Sequence, residues 1–265
     1  MFYYYLIISF IFGITLGSFY NVVGYRVPKK QSLIYPSSHC TTCNHKLGAS
    51  ELVPFFSYLF QRGKCKHCGA KISLFYPIFE LTTGILFALS YYIFGSSIDF
   101  FIVISFISML LIIIISDYQM MIIPDEVLIS SIIVISILIF IKGGITLLIT
   151  SLLNGIISFI IMFILKKFGD FMFKKESMGG GDIKLLFTFG LVFGWQMSVI
   201  SIFIASFIAL PIAIYYSVKY KNQKYIEDDE IPENSIPFGP FLAVAAIIIV
   251  LTKMDITMIS NLFIR

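Results

Sequence analysis

The stretch FFIVISFISMLLIIIISD, Phe100 to Asp117, decides the fold. It carries no charge until its last residue. Its apolar part, 100–116, reaches the roughly 17 residues that the shortest bilayer-crossing helices need. Runs of the same kind lie on either side: Phe2 to Val23, then roughly 78–95, 125–141, 145–165, 183–194, 196–218 and 237–252, eight in all. The run 183–194 is short for a full crossing, and Gly194-Trp195-Gln196 is its expected turn. The first run lacks a basic n-region and a small-residue cleavage site, so it reads as a retained span and not a signal peptide.

Composition agrees with the runs. Of 265 residues, 58% are hydrophobic and 13% charged, whereas a soluble domain carries about 45–50% and about 25%. A chain of this size cannot enclose that much apolar surface in one watery globule, which excludes a soluble enzyme. Disorder is excluded too, because it needs low hydrophobicity and high net charge. The expected fold class is all-α: a polytopic membrane helix bundle of about eight transmembrane helices, with a small cytoplasmic tetracysteine loop domain. No internal repeat and no low-complexity linker interrupts it, and no feature points to nucleic acid, so lipid is the surrounding partner.

Orientation follows from the cations, because Lys- and Arg-rich loops are retained in the cytoplasm. With the N-terminus outside, the inner segments are 24–77, 117–124, 166–182 and 219–236. They hold 15 of the 19 Lys and Arg residues; Lys142, Lys253 and Arg265 fall outside, and Lys184 sits just within a span. This places the multi-pass chain in the cytoplasmic (inner) membrane with its chemistry facing the cytoplasm.

All four cysteines lie in the first inner segment, as Cys40-x2-Cys43 and Cys65-x2-Cys68. Two such knuckles suit one tetrahedral ion held by four thiolates, which closes the coordination sphere and makes the metal structural. Lys64, Lys66 and Lys71 favour the thiolate form. Zinc would fold a ~50-residue segment too small to stabilise itself on an apolar core. His39, His45 and His67 are alternative ligands, iron is an alternative ion, and unmetallated thiols in a folded loop remain a further reading. A redox pair is disfavoured, since no βαβ pattern surrounds either knuckle.

Two acids stand out. Asp117 ends the opening run, and a carboxylate beside hydrocarbon is a functional hypothesis by default; the alternative is a helix-end residue reaching interfacial water. Asp125 and Glu126 follow Pro124, which suits a first helical turn, and acids there offset the helix dipole. Asp182 closes Gly179-Gly180-Gly181-Asp182 and leads into an apolar helix. The glycines remove side chains where another backbone must come close; a helix N-cap after a flexible turn is the plainer reading of Asp182. A phosphate loop is discounted, because an aspartate would repel phosphate and no GK[ST] follows. The topology sets both acids at the inner ends of their spans. Held a few ångströms apart, two carboxylates share a proton. One then activates water as general base while the other serves the scissile carbonyl as acid.

The stretches GSFYNVVGYRVP (17–28), CTTCNHKLGASELVPFFSYLFQRGKCKHCGAKISLFYPIFELTTG (40–84), SDYQMMIIPDEV (116–127) and MGGGDIKLL (178–186) resemble, in order, the type IV prepilin peptidases. These are bifunctional leader peptidases and N-methyltransferases among the aspartic membrane proteases of the GxGD type. The resemblance implies that Asp117 and Asp182 are the catalytic aspartates. It implies cleavage of type IV pilin-like precursors between a short basic leader and the hydrophobic helix, at the cytoplasmic face. It further implies N-methylation of the new N-terminus with S-adenosylmethionine as donor. The cysteine loop resembles that of members proposed to bind zinc. The chain then divides into a first transmembrane helix (1–23), the tetracysteine domain (24–77) and a membrane-embedded aspartic peptidase domain (78–265), with Gly179, Gly180 and Gly181 as the loop along which an extended substrate approaches. The glycine-rich donor loops of soluble methyltransferases are absent from the sequence.

Two alternatives stand beside this reading: a peptidase without methylation, and a zinc-loop transporter or assembly factor, since intramembrane carboxylates also serve ion relays. The acidic run Glu227-Asp228-Asp229-Glu230 with Glu233 is a candidate for steering a basic leader, or a solvated loop.

Overall fold

The computed structural model describes residues 1–174, 179–219 and 237–258. Its helices in chain order are α1 (Phe2–Arg26), α2 (Phe56–Phe60), α3 (Phe75–Phe94), α4 (Ile98–Met120), α5 (Asp125–Phe173), α6 (Gly180–Phe193), α7 (Trp195–Lys219) and α8 (Gly239–Thr252). Among the described residues no strand forms, only the isolated antiparallel bridges His39–Lys46 and Lys64–Lys71. The acidic run at 227–233 lies outside the described residues.

Among the described residues five helices are long and apolar enough to cross a membrane: α1, α3, α4, α5 and α7. The chain is a multi-helix membrane protein. α5 has 49 residues, about 74 Å if straight. It breaks at Gly143 (φ −145°, ψ 17°) and Gly144 (φ +67°, ψ −163°), and the second of these conformations is one that only glycine adopts at little cost. The first arm covers the run 125–141; the second covers 145–165 and continues to Phe173, into the expected inner segment 166–182. Gly194, at φ +87°, parts α6 from α7 at the expected turn. α6 and α8 have 14 residues each, about 21 Å of helix against a ~30 Å core. The expected eight runs are thus all helical, but their lengths alone do not make eight full crossings.

The chain divides into two compact units, Met1–Ser116 and Asp117–Arg265, with the boundary inside α4. In the first, α1 and α3 cross on glycine. A Cβ on Gly13 would lie 2.8 Å from Gly84 Cα, and one on Gly17 would lie 2.9 Å from the Thr83 side chain. Gly13 and Gly17 form a GxxxG pair, the spacing with which membrane helices bring their backbones together. Farther along α1, Gly24 leaves room for Ile115, and the Tyr20 hydroxyl donates to Ser108 Oγ at 2.6 Å. Gly13→Leu will therefore cost about 1–3 kcal/mol of stability, the usual penalty of overpacking, read as a lowered Tm in lipid. Ile11→Leu, at an exposed position of the same helix, will leave Tm unchanged.

In the second unit α5 and α6 approach equally closely. Gly155 lies against the Phe187 carbonyl, and Gly190 against Ser158 and the Asn154 carbonyl. Asp125, at the start of α5, accepts from Lys184 Nζ of α6 at 2.7 and 2.8 Å. Both side chains are about half exposed, so the pair contributes at most about 1 kcal/mol. Its effect is to fix register between the two helix starts.

Candidate active site and metal centre

Asp117 lies near the C-terminal end of α4 and is 6% exposed; Asp182 lies in the first turn of α6 and is 8% exposed. Both belong to the second unit. They are brought near enough for the charge of Asp117 to act on Asp182. Asp117 Oδ2 accepts the backbone N–H of Gly239 at 3.0 Å. That N–H belongs to the first turn of α8, one of the groups a helix start leaves without an internal partner. The approach depends on glycine, because a Cβ at 239 would stand 2.5 Å from Oδ2. Asp182 takes no hydrogen bond from a described residue. It is not the cap of its helix: Gly179 holds the cap position, so the N-cap reading of Asp182 gives way.

The three glycines differ. Gly181 packs against Ile123, where a Cβ would come within 2.8 Å, so its role is close packing of α6 on the turn after α4. The Cβ direction of Gly180 meets nothing within 4 Å, and that of Gly179 meets only Asp182 Oδ2 at 3.5 Å. Those two leave the ground in front of Asp182 free of side chains. Pro124 takes the N-cap position of α5, one residue ahead of its expected place, with Asp125 and Glu126 in the first turn.

The first unit holds the cysteines. The sulfurs of Cys40, Cys43, Cys65 and Cys68 all lie within 4.8 Å of one another, and Cys40 and Cys68 are 3.8 Å apart. Four thiolates bound tetrahedrally at about 2.3 Å from one ion would stand about 3.8 Å apart, so the donor set fits a metal. The two knuckles are built alike. Cys40 N–H donates to the His45 carbonyl and Asn44 N–H to the Cys40 carbonyl, just as Cys65 N–H donates to Ala70 and Gly69 N–H to Cys65. Asn44 (φ +55°) and Gly69 (φ +71°) occupy matching left-handed positions, which asparagine and glycine tolerate best. The backbone N–H groups of Cys43 and Thr42 point at the Cys40 sulfur and bring its thiol down to about 6. The histidines are engaged elsewhere: His39 with the Ser37 carbonyl, His45 with Glu51 at 3.4 Å and stacked on His67. Glu51 in turn accepts from the Gly48 N–H, which holds its carboxyl below the usual range.

Two residues of consequence escape sequence reasoning. Gly239 has no local signature. Glu80, buried in α3, accepts the Phe55 N–H at 2.6 Å; its signal is a lone carboxylate within an apolar run.

Two family models match the chain: the bacterial peptidase A24 N-terminal domain over residues 11–94 and the type IV leader peptidase family over residues 104–214. A prepilin leader peptidase/N-methyltransferase of Bacillus subtilis (strain 168) is 34% identical over 247 residues, covering 91% of this chain and 92% of that protein. The chain belongs to the type IV leader peptidase family. Similar leader peptidases include that of Vibrio cholerae, 31% identical with 93% and 96% of the two chains covered, and that of Pseudomonas putida, 26% identical with 94% and 91% covered. No solved structure matches. Within the leader peptidase frame, Cys40 to Cys68 fall in the N-terminal domain match, and Asp117 and Asp182 in the second.

Proposed function

We propose that this leader peptidase is an aspartic endopeptidase of the cytoplasmic membrane, with Asp117 and Asp182 as its catalytic pair. It removes the basic leader of type IV pilin-like precursors at the cytoplasmic face and methylates the exposed N-terminus with S-adenosylmethionine. The observation that carries the reading is the meeting of two buried carboxylates, from α4 and α6, in one site with a backbone N–H fixing the first.

The hydrogen bond from Gly239 occupies one oxygen of Asp117 as an acceptor, which leaves Asp117 to take the proton of an attacking water. Asp182, with no such donor, carries the shared proton and gives it to the scissile carbonyl oxygen as the tetrahedral intermediate forms. When the C–N bond breaks, the proton on Asp117 passes to the leaving amine, and one hydroxyl of the intermediate returns its proton to Asp182 as the new carboxyl group forms. Gly179 and Gly180 admit the extended substrate backbone beside Asp182. A precursor with a cytosolic leader and a bilayer helix has its cleavage point at the inner interface, where the charge pattern of the loops sets the inner ends of α4 and α6.

Zinc is the ion that four thiolates in this arrangement favour, held by Cys40, Cys43, Cys65 and Cys68 as a structural centre. The methyl donor would supply an electrophilic methyl group to the free amine. The described residues form helices, loops and two isolated bridges, without the strand–glycine loop–helix cradle of soluble methyltransferases. Methylation therefore rests on the likeness to bifunctional relatives, and no residue is assigned to it.

The test is intact mass of a pilin-like precursor incubated with the purified, lipid-reconstituted protein. Loss of the leader plus one methyl group in the presence of donor is expected; loss of the leader alone would remove the methylation, and an unchanged mass would remove the whole proposal. Gly239→Ala gives a finer test. Its Cβ would displace the Asp117 carboxylate, and a misplacement of about 1 Å costs on the order of 10²-fold in rate. A wild-type kcat in that variant would contradict the role given to the Gly239 N–H.

A further inference from the structure

The loop between α1 and α3 reaches down among the spans. The hydrogen bond from Phe55 N–H ends on Glu80, and Ser18 of α1 lies beside the same carboxylate. Glu80 stands one and a half turns beyond Phe75, the first residue of α3, about 7–8 Å along the helix. A helical side chain leans toward its N-terminus, so Phe55 sits level with the first two turns of α3. α3 has 20 residues, about 30 Å, no more than the hydrocarbon core itself. A crossing by α3 uses its whole length, which would set Phe55 at or below the boundary.

The residues just after Phe55 carry an apolar face turned outward. Phe55 is held at φ +60°, ψ −53°, and the Phe56 N–H donates to the Pro54 carbonyl at 2.6 Å, a left-handed γ-turn that costs energy to keep. The turn launches α2, on which Phe56, Leu59 and Phe60 share one face by their i, i+3, i+4 spacing. They are 48%, 61% and 82% exposed. Leu52 and Val53, just before, are exposed as well. Directly after α2 come Arg62, Lys64, Lys66 and Lys71, all exposed.

We propose that α2 is an interfacial foot of the tetracysteine loop. Phe56, Leu59 and Phe60 enter the acyl boundary of the bilayer, and the four cations beyond them lie against anionic headgroups. Depth, an apolar face turned from the protein and adjacent cations are together what a membrane-surface element needs. Glu80 is its anchor: it satisfies the N–H of the turn that aims the foot, and so holds the metal loop to the plane of the membrane.

The chain has one tryptophan, Trp195, which permits a direct test. The full chain carrying Trp195→Phe and Phe60→Trp is reconstituted in phosphatidylcholine–phosphatidylglycerol vesicles, with bromines placed near the top of the acyl chains. The expected emission is blue-shifted, protected from aqueous iodide and reduced by about half or more by the bromines, as for a side chain seated 5–10 Å into the interface. Leu59→Trp in the same background repeats the measurement if the first variant folds poorly. Emission at the wavelength of water-exposed tryptophan would overturn the proposal. So would a blue shift without bromine quenching, which means that protein covers the face. Quenching relieved by an added pilin-like precursor would assign the face to the substrate helix instead. Quenching is expected to fall when phosphatidylglycerol is omitted; equal quenching would remove the basic residues from the proposal.

Discussion

Leader cleavage will be lost on changing either Asp117 or Asp182 to asparagine, with the protein still folded. Asparagine preserves the shape of each side chain and removes only its capacity to exchange a proton. General acid or base catalysis supplies about 10²–10⁴-fold for each participant, so either variant is expected to lose at least that much of kcat. The two act as one unit, and groups that act as a unit are non-additive. The Asp117→Asn/Asp182→Asn double variant will therefore be little worse than either single one. Stability should not suffer, because each substitution removes a charge from a site that is 6% or 8% exposed and burial of charge is costly. Asp125→Asn is the control. It breaks a half-exposed ion pair with Lys184 and should leave cleavage within a few-fold. A progress curve by intact mass, with a melting curve on the same sample, reads all four variants. Cleavage near the wild-type rate in Asp182→Asn would sink the two-carboxylate mechanism.

The acids and the helices were legible for the same reason. A charge-free run as long as the shortest span has few alternatives to a membrane helix, so a single carboxylate at its end stands out against it. That is why Asp117 can be picked out, and why Gly179 to Gly181 draw attention to Asp182. The break in α5 was legible too, because Gly143 and Gly144 separate two apolar runs with a conformation that other residues resist. Gly239 was not, because its contribution is a backbone N–H delivered across 122 positions of chain, and a backbone donor leaves no mark on residue type. The lengths of α6 and α8 were hidden as well: their apolar runs say that they are buried, not that they reach across. Glu80 offers the same signal as Asp117, a lone acid among apolar neighbours. Only the structure shows that its partner is the backbone of Phe55 and that it anchors a loop instead of facing its own kind. The GxxxG pair in α1 is a local pattern, but that it meets Gly84 and Thr83 is a fact of packing.

Replacing Cys65 with serine will cost the tetracysteine loop its metal and its structure. Cys65 is the buried member of the four, and a serine hydroxyl neither ionises at neutral pH nor binds a soft ion as thiolate does. Structural zinc contributes roughly 10–16 kcal/mol in small peptides. Each hydrogen bond within the knuckles contributes about 1 kcal/mol. The bonds that join Cys40 to His45 and Cys65 to Ala70 cannot hold the two hairpins together once the ion is gone. No apolar core substitutes for it, since Leu52, Val53, Phe56, Leu59 and Phe60 all point outward. The wild-type chain should then carry one zinc ion and Cys65→Ser none, by elemental analysis. Limited proteolysis should cut the variant between residues 40 and 68 while leaving the helices intact. α1 and α3 pack through Gly13, Gly17 and Gly84, none of which touches the metal, so far-ultraviolet circular dichroism should scarcely change. A strong chelator acting on the wild-type protein should reproduce the same cuts, and zinc should reverse them. A wild-type loop that resists protease with no metal bound would show that the knuckles stand on their hydrogen bonds alone, and the centre would lose its structural role.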